Sequence, residues 1–195
     1  MYATLHSTAM NVKIIDRVPF GPVALVWTEG GGGCPMLVQA LLSTQARPAV
    51  QRVADLHPGA ARASCREIDN VASRIAAFLN GNHVTFSLNA LAFDTCGAFH
   101  RRVLRATHSI PWGHVATYGG IAINLDRPGG ARAVGNAMAT NPFPLIIPCH
   151  RVIRSDLTLG AYGGGAAMKR HLLEQEGIVF EGRGRAPETR VVFRS

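Results

Sequence analysis

The sequence lacks several things that would each point to a function. It has no Cys-x-x-Cys pair and no His-x-x-x-His pair, so the local ligand spacing of a structural zinc site is missing. Only a dispersed set built on Cys34 and Cys65 could be drawn, and neither a metal nor another cofactor is expected. No stretch approaches the roughly 18 uninterrupted apolar residues of a membrane helix. The opening "MYATLHSTAMNVK" also lacks the charged-then-apolar layout of an export signal. No membrane partner is expected, and the reading is intracellular: cytoplasmic, or nuclear in a cell with a nucleus. Cys34, Cys65, Cys96 and Cys149 are scattered along the chain, and in a reducing compartment they are expected as free thiols. There is no internal repeat and no sign of oligomerisation, so a monomer is expected.

Acidic residues are scarce, 12 Asp and Glu against 20 Lys and Arg, for a formal charge of +8. The shortage is uneven. Residues 1–95 hold seven basic against six acidic residues, and residues 96–195 hold thirteen against six. A cationic second half suits a polyanion, nucleic acid first; an ordinary solvated basic face is the alternative. With 195 residues, 47% of them apolar, the chain can build one sizeable domain or two small ones.

The first part reads as a small α/β unit. "VKIIDRV" and "GPVALVW" flank the turn signal "PFG" and predict a hairpin. In "CREIDNVASRIAAFLNG", Ile68, Val71, Ala72, Ile75, Phe78 and Leu79 recur at helical spacing before Gly81. The following "NHVTFSLNALAFDT" reads as an extended connection, which places a boundary between residues 85 and 95.

The second part is mainly helical. "TCGAFHRRVLRATHSI" predicts a helix with Thr95 as N-cap and Phe99, Val103 and Ala106 on its buried face. "ATYGGIAINL" predicts a short helix capped by Thr117, and "ARAVGNAMATNP" a second one after the turn "DRPGG". Helix, turn and helix outline a helix-turn-helix. The second helix is slim, with Ala131, Ala133, Gly135, Ala137 and Ala139, so it can approach either a neighbouring helix or a nucleic-acid groove closely. "GGGAAMKRHLLEQEG" predicts a last helix ending at Gly177, and the basic tail "EGRGRAPETRVVFRS" is expected to be loosely ordered.

The most reactive constellation is "PLIIPCHRVIR", Pro144 to Arg154. A thiol with an ordinary pKa near 8.5 needs a base or a cation to become the nucleophilic thiolate. Cys149 has His150 and Arg151 beside it. Strand neighbours would face opposite ways, whereas a turn after Pro148 would let the side chains cooperate. The tetrapeptide alone is equally compatible with an inert buried cysteine next to a histidine.

Around it, "VATYGGIA", "ARAVGNAM", "NPFPLIIPCHRVI", "GAYGGG" and "LLEQEG" follow in order from about Phe99 to Gly177. This ordered series resembles the O6-alkylguanine-DNA alkyltransferases, the methylated-DNA–protein-cysteine methyltransferases. The resemblance implies an α+β chain. A small ribonuclease-H-like N-terminal α/β domain (1–90) would precede a mainly helical domain with a helix-turn-helix (91–182), and a basic tail (183–195) would follow.

It also implies that the chain binds duplex DNA containing O6-alkylguanine, or O4-alkylthymine. The damaged base is turned out of the stack and its alkyl group moves irreversibly to Cys149, with no cofactor. His150 would act through a water as base, and Glu176 would balance its charge. Tyr118 would protonate guanine N3, and Asn141 would tie the second helix of the pair to the cysteine segment. Arg132 would fill the gap left by the extruded base, with Ala131, Ala133 and Gly135 entering the minor groove. Arg151, structural or phosphate-facing, joins Arg101, Arg102, Arg105 and Arg154 as candidates for phosphate contact, with plain solvation the alternative for several of them. Val152, Tyr162 and Gly163 would complete the pocket; many relatives carry a hydroxyl residue at the Gly163 place, which leaves only a backbone N–H there. A lesion-binding relative that transfers nothing would have replaced Cys149. A cysteine hydrolase would leave Arg132 and the slim helix unused.

Overall fold

The computed structural model describes residues 9–182 and 184–193. The N-terminal eight residues, Arg183, Arg194 and Ser195, with the expectations that touch them, lie outside the described residues. The expected hairpin is present. β1 (Asn11–Ile15) and β2 (Val23–Glu29) pair antiparallel, Val12 opposite Val26 and Ile14 opposite Ala24. β3 (Pro35–Leu42) continues the antiparallel sheet, and β4 (Ala61–Arg62) runs parallel to β1, giving the order β3-β2-β1-β4.

Period-2 alternation gives this sheet two apolar faces. α1 (Ala49–Leu56) buries Ala49 and Val53 against Val12, Ala24, Val26 and Leu41. α2 (Arg66–Leu79) covers the other face with Ile68, Ala72, Ile75, Phe78 and Leu79 buried and Val71 half-buried, the face that the periodicity predicts.

The second part is built around α3 (Ala98–His108). Its N-cap is Gly97, not Thr95, which belongs to a preceding 3₁₀ turn where its hydroxyl donates to Ala92 O. The threonine is consumed by that turn, so the helix starts two residues later than its side chain suggests. β5 (Val115–Thr117) leads into α4 (Tyr118–Asn124), and Thr117 Oγ1 caps it by accepting from Gly120 N at 2.9 Å. A turn then connects to α5 (Ala131–Ala139), which packs back on α4 and α3. β6 (Val152–Ile153), α6 (Ala166–Gln175) and β7 (Val191–Phe193) complete the chain.

β6, β5 and β7 form a small parallel sheet in that order. The described part of the tail up to Phe193 is therefore docked rather than loose. Short strands that pair in parallel across long sequence separations leave no local pattern to read, which is why the tail looks unstructured in sequence.

The two parts share a core in which Leu25, Phe78, Leu104, Phe143 and Ile147 are all buried. The free edge of β3 is used to hold the second part. Leu37 N donates to Ala90 O at 2.7 Å, and Ala40 N donates to Pro142 O at 2.8 Å. That last bond fixes the start of the segment that ends in Cys149.

Candidate active site

The apolar run before the cysteine is not a strand. Phe143, Leu145, Ile146 and Ile147 are buried in an irregular path. Asn141, just beyond α5, staples it: its Nδ2 donates to Ile147 O at 3.3 Å and its Oδ1 accepts from Phe143 N at 2.9 Å. Pro148 ends the run, and Cys149–Arg151 form one 3₁₀ turn, so that consecutive side chains are not thrown to opposite faces. Cys149 N bonds back to Ile147 O at 2.7 Å. The thiol is buried, and burial pushes its pKa up; hydrogen bonding from Asn141 and the charge of Lys169 work against that rise.

His150 is wholly buried, with its ring against Phe78 of α2 on one side and Tyr162 on the other, at centroid distances of 5.6 and 6.2 Å. Nε2 donates to Glu176 Oε1 at 2.9 Å, while Nδ1 is buried without a hydrogen-bond partner among the described residues. Burial lowers the His150 pKa, although Glu176 pulls the other way. Burial likewise tends to raise the Glu176 carboxyl, but His150 and Arg151 outweigh it and hold it below the ordinary range. The resting site at neutral pH is thus a neutral imidazole with a free Nδ1 acceptor, oriented by an ionised carboxylate.

Glu176 is held from two further directions. Gly113 N donates to Oε2 at 3.2 Å. A side chain at Gly113, whose φ is +71°, would bring a Cβ within 2.9 Å of Glu176 O, so glycine is required there. Arg151 grips the carboxylate with Nε at 2.8 Å from Oε2 and Nη2 at 2.9 Å from Oε1, and its Nη1 donates to Ile110 O at 2.6 Å. Of the two readings of Arg151, structural or phosphate-facing, the structure supports the first, and its place among the DNA-contacting residues is corrected. Its guanidinium is buried and fully engaged, because an ionised carboxylate inside the core needs a cation next to it.

Lys169 has no counterpart in the sequence reading. It lies on α6, 0% exposed, and its ammonium donates to Val152 O at 2.6 Å and Ala161 O at 3.3 Å. Burial lowers its pKa from 10.5 to about 8, against the opposing pull of Cys149. One signal was available: among 20 cationic residues the chain has two lysines, and this one sits at an apolar position between Met168 and Leu172.

Tyr118 and the slim helix meet at an open depression of ≈ 550 Å³, lined also by Gly119, Ala131, Gly135, Arg154, Ser155 and Asp156. Burial raises the Tyr118 phenol above its usual pKa, with Cys149 adding to the rise, so the phenol keeps its proton through the neutral range. Gly160, at φ +68°, was not singled out from sequence; it lies beside the site, where a Cβ would be in van der Waals contact with Arg154 Cγ and the Tyr118 hydroxyl, both at 3.4 Å.

Arg132 is exposed at the start of α5, with Ala133 and Gly135 half-buried beside it. Val152 contributes its carbonyl to Lys169 and has a fully buried side chain. Tyr162 is half-buried with its hydroxyl shielded and unpaired among the described residues, and Gly163 is exposed.

Residues 98–178 match the family model described as 6-O-methylguanine DNA methyltransferase, DNA binding domain. The chain is 35% identical to a methylated-DNA–protein-cysteine methyltransferase of Salmonella typhimurium over 165 residues, 83% of this chain and 92% of that one. A protein of the same name from Methanothermobacter thermautotrophicus is 46% identical over 117 residues, 60% of this chain and 65% of that one. Among solved structures, the Mycobacterium tuberculosis O6-methylguanine methyltransferase is similar at TM-score 0.66 and 32% identity, covering 92% of this chain and 96% of that one. The M. tuberculosis OGT in complex with DNA is similar at TM-score 0.65 and 34% identity, covering 86% and 93%.

Proposed function

The chain belongs to the methylated-DNA–protein-cysteine methyltransferases, and from that premise we propose how its own residues carry out the family's reaction. The protein repairs DNA by moving the alkyl group of O6-alkylguanine to one of its own cysteines, once and irreversibly. We assign Cys149 as the acceptor.

His150 Nδ1, through one water, takes the thiol proton, and the imidazolium so formed is stabilised by Glu176 through the 2.9 Å bond at Nε2. The thiolate attacks the alkyl carbon; an S–C bond forms, the C–O6 bond breaks, and its electron pair goes to the guanine. Tyr118 delivers a proton to N3, so guanine leaves neutral. The proton held on the imidazole then restores the phenol through solvent, and the balance is a thiol plus an alkylguanine giving a thioether plus guanine. Asn141 and Lys169 favour the thiolate, one by hydrogen bond and one by charge.

The damaged base reaches this chemistry by leaving the stack, at a cost of a few kcal/mol. Arg132 fills the space it vacates, and Ala131, Ala133 and Gly135 lie in the minor groove. Support comes from the depression that joins Tyr118 to Ala131 and Gly135, which gives an extruded base a path from helix to phenol. Phosphate contact falls to exposed arginines, without Arg151. The N-terminal unit we read as ribonuclease-H-like, on its three antiparallel strands with a parallel edge strand. The protein acts as a monomer in the cytoplasm, or in the nucleus if the cell has one.

One observation carries the assignment of the acceptor. Cys149 is a buried thiol in the same turn as a histidine locked to a buried carboxylate. The test is intact-protein mass after incubation with an O6-methylguanine duplex. One methyl per protein, located on Cys149 and lost in Cys149→Ser, is expected; tight binding without a mass change would sink the assignment.

A further inference from the structure

We propose that the C-terminal segment Ala186–Phe193 is a positioning element for alkyl transfer, holding the acceptor cysteine and the proton-donating tyrosine in register with each other. The inference rests on the roles given above to Cys149 and Tyr118. It concerns residues that lie beyond the family model's match at 98–178.

The two reactive groups sit at the ends of adjacent strands. Cys149–Arg151 run directly into β6, and β5 runs directly into Tyr118. Their relative position is therefore set by the β5–β6 ladder, which has only two partner pairs, Ala116 with Val152 and Thr117 with Ile153. A two-stranded ladder this short is marginal by itself. β7 supplies the third strand, on the other side of β5, pairing Val115 with Val191 and Ala116 with Phe193. β5 is 0–2% exposed along its length, so its backbone groups on that side depend on the tail for partners.

The tail also reaches the start of α4. Thr117 Oγ1 donates to Phe193 O at 3.5 Å while accepting from Gly120 N, so the cap of the helix that begins with Tyr118 leans on the last strand. Further along, Ala186 N donates to Leu157 O and Arg185 Nε to Asp156 O, both at 2.9 Å, tying the tail to the loop after β6. Ala186 and Val191 then close a small core with Val115, Ile153, Leu157, Leu173 and Ile178. That core joins β5, β6 and the end of α6, where Glu176 follows. The tail thus touches the supports of Tyr118, Cys149 and Glu176 and needs to touch none of the three.

The test compares the full chain with a chain ending at Ala186, by single-turnover methyl transfer from saturating O6-methylguanine duplex, with DNA affinity and melting measured in parallel. The truncated chain is expected to bind within about three-fold and to transfer at least about ten-fold more slowly. A peptide of residues 187–195 added in trans should restore the rate. In a Tyr118→Phe background the truncation should cost clearly less than in the unaltered chain, because one of the two groups held in register is gone. If the truncated chain does not fold, Val191→Pro in the full chain removes the N–H that bonds to Glu188 O at the start of β7 and disturbs that strand without shortening the chain, and it is held to the same outcomes. An unchanged rate, a loss that merely tracks the unfolded fraction, or losses that add to those of Tyr118→Phe would each overturn the inference. If the intact chain gains no methyl on Cys149, the functional assignment fails first, and this inference with it.

Discussion

Replacing Lys169 with methionine tests how the buried thiol becomes reactive. The side chain keeps its length and apolar stem but loses the ammonium, which is 0% exposed and bonded to Val152 O and Ala161 O. Its pKa falls from 10.5 to about 8, so keeping it charged at pH 7 costs on the order of 3 kcal/mol. The sign follows from linkage. Between pH 8 and 10.5 the unfolded chain binds the extra proton, so the penalty is full below about 8 and fades as pH rises through that window. Methionine removes this penalty but leaves two carbonyls unpaired, at about 1–3 kcal/mol each. The two effects oppose each other, and stability at pH 7 should change by no more than about 3 kcal/mol.

Reactivity should change more. A neighbouring opposite charge favours an ionised group by about 1–3 pKa units, and each unit is ten-fold in thiolate. Lys169 is one of the groups that hold the Cys149 pKa down against burial. Lys169→Met should therefore slow single-turnover transfer at pH 7.5 by about ten-fold or more. The pH–rate profile should slide to higher pH and recover in alkali. Melting curves run alongside separate this from unfolding. An unmoved profile with a normal rate would refute the reasoning, as would a rate loss explained by the unfolded fraction alone.

Three further outcomes are expected. Arg132→Ala should slow repair of duplex DNA by about ten-fold or more while sparing reaction with the free alkylated base, and equal losses on both substrates would remove its gap-filling role. Tyr118→Phe should retain DNA affinity but lower the single-turnover rate, by about a hundred-fold for a lost proton donor; an unchanged rate would exclude proton donation. Arg151→Met should destabilise the fold by about 3–5 kcal/mol, because it strands the Glu176 carboxylate, and it should leave the salt dependence of DNA binding unchanged. A reduced salt slope with normal stability would return Arg151 to the DNA surface.

Much of this was readable from local sequence, for local reasons. Helical spacing from Ile68 to Leu79 and the Thr117 cap depend on neighbours within a few positions, and both are present. The Pro-Cys-His-Arg core, in order with "ATYGG", "ARAVG" and "LLEQEG", was enough to name the family and to propose Cys149 as its acceptor. Side-chain partners were less accessible. Arg151 looked like any basic residue near a DNA-binding helix, and only the return of Glu176 across 25 residues of chain shows that it is engaged in the interior.

Lys169 reads as one more positive charge until the fold wraps Val152 and Ala161 around it. The docked tail belongs to the same class, since β7 finds β5 across 76 positions between Phe193 and Thr117. Sequence by itself determined the family and which groups are proposed to carry the chemistry, because nucleophile, base and proton donor are properties of residue types in order. Tertiary structure decided which charges are buried, what holds each reactive group in place, and that the last strand supports the site. Those depend on burial and on pairing between distant segments, which no local pattern encodes.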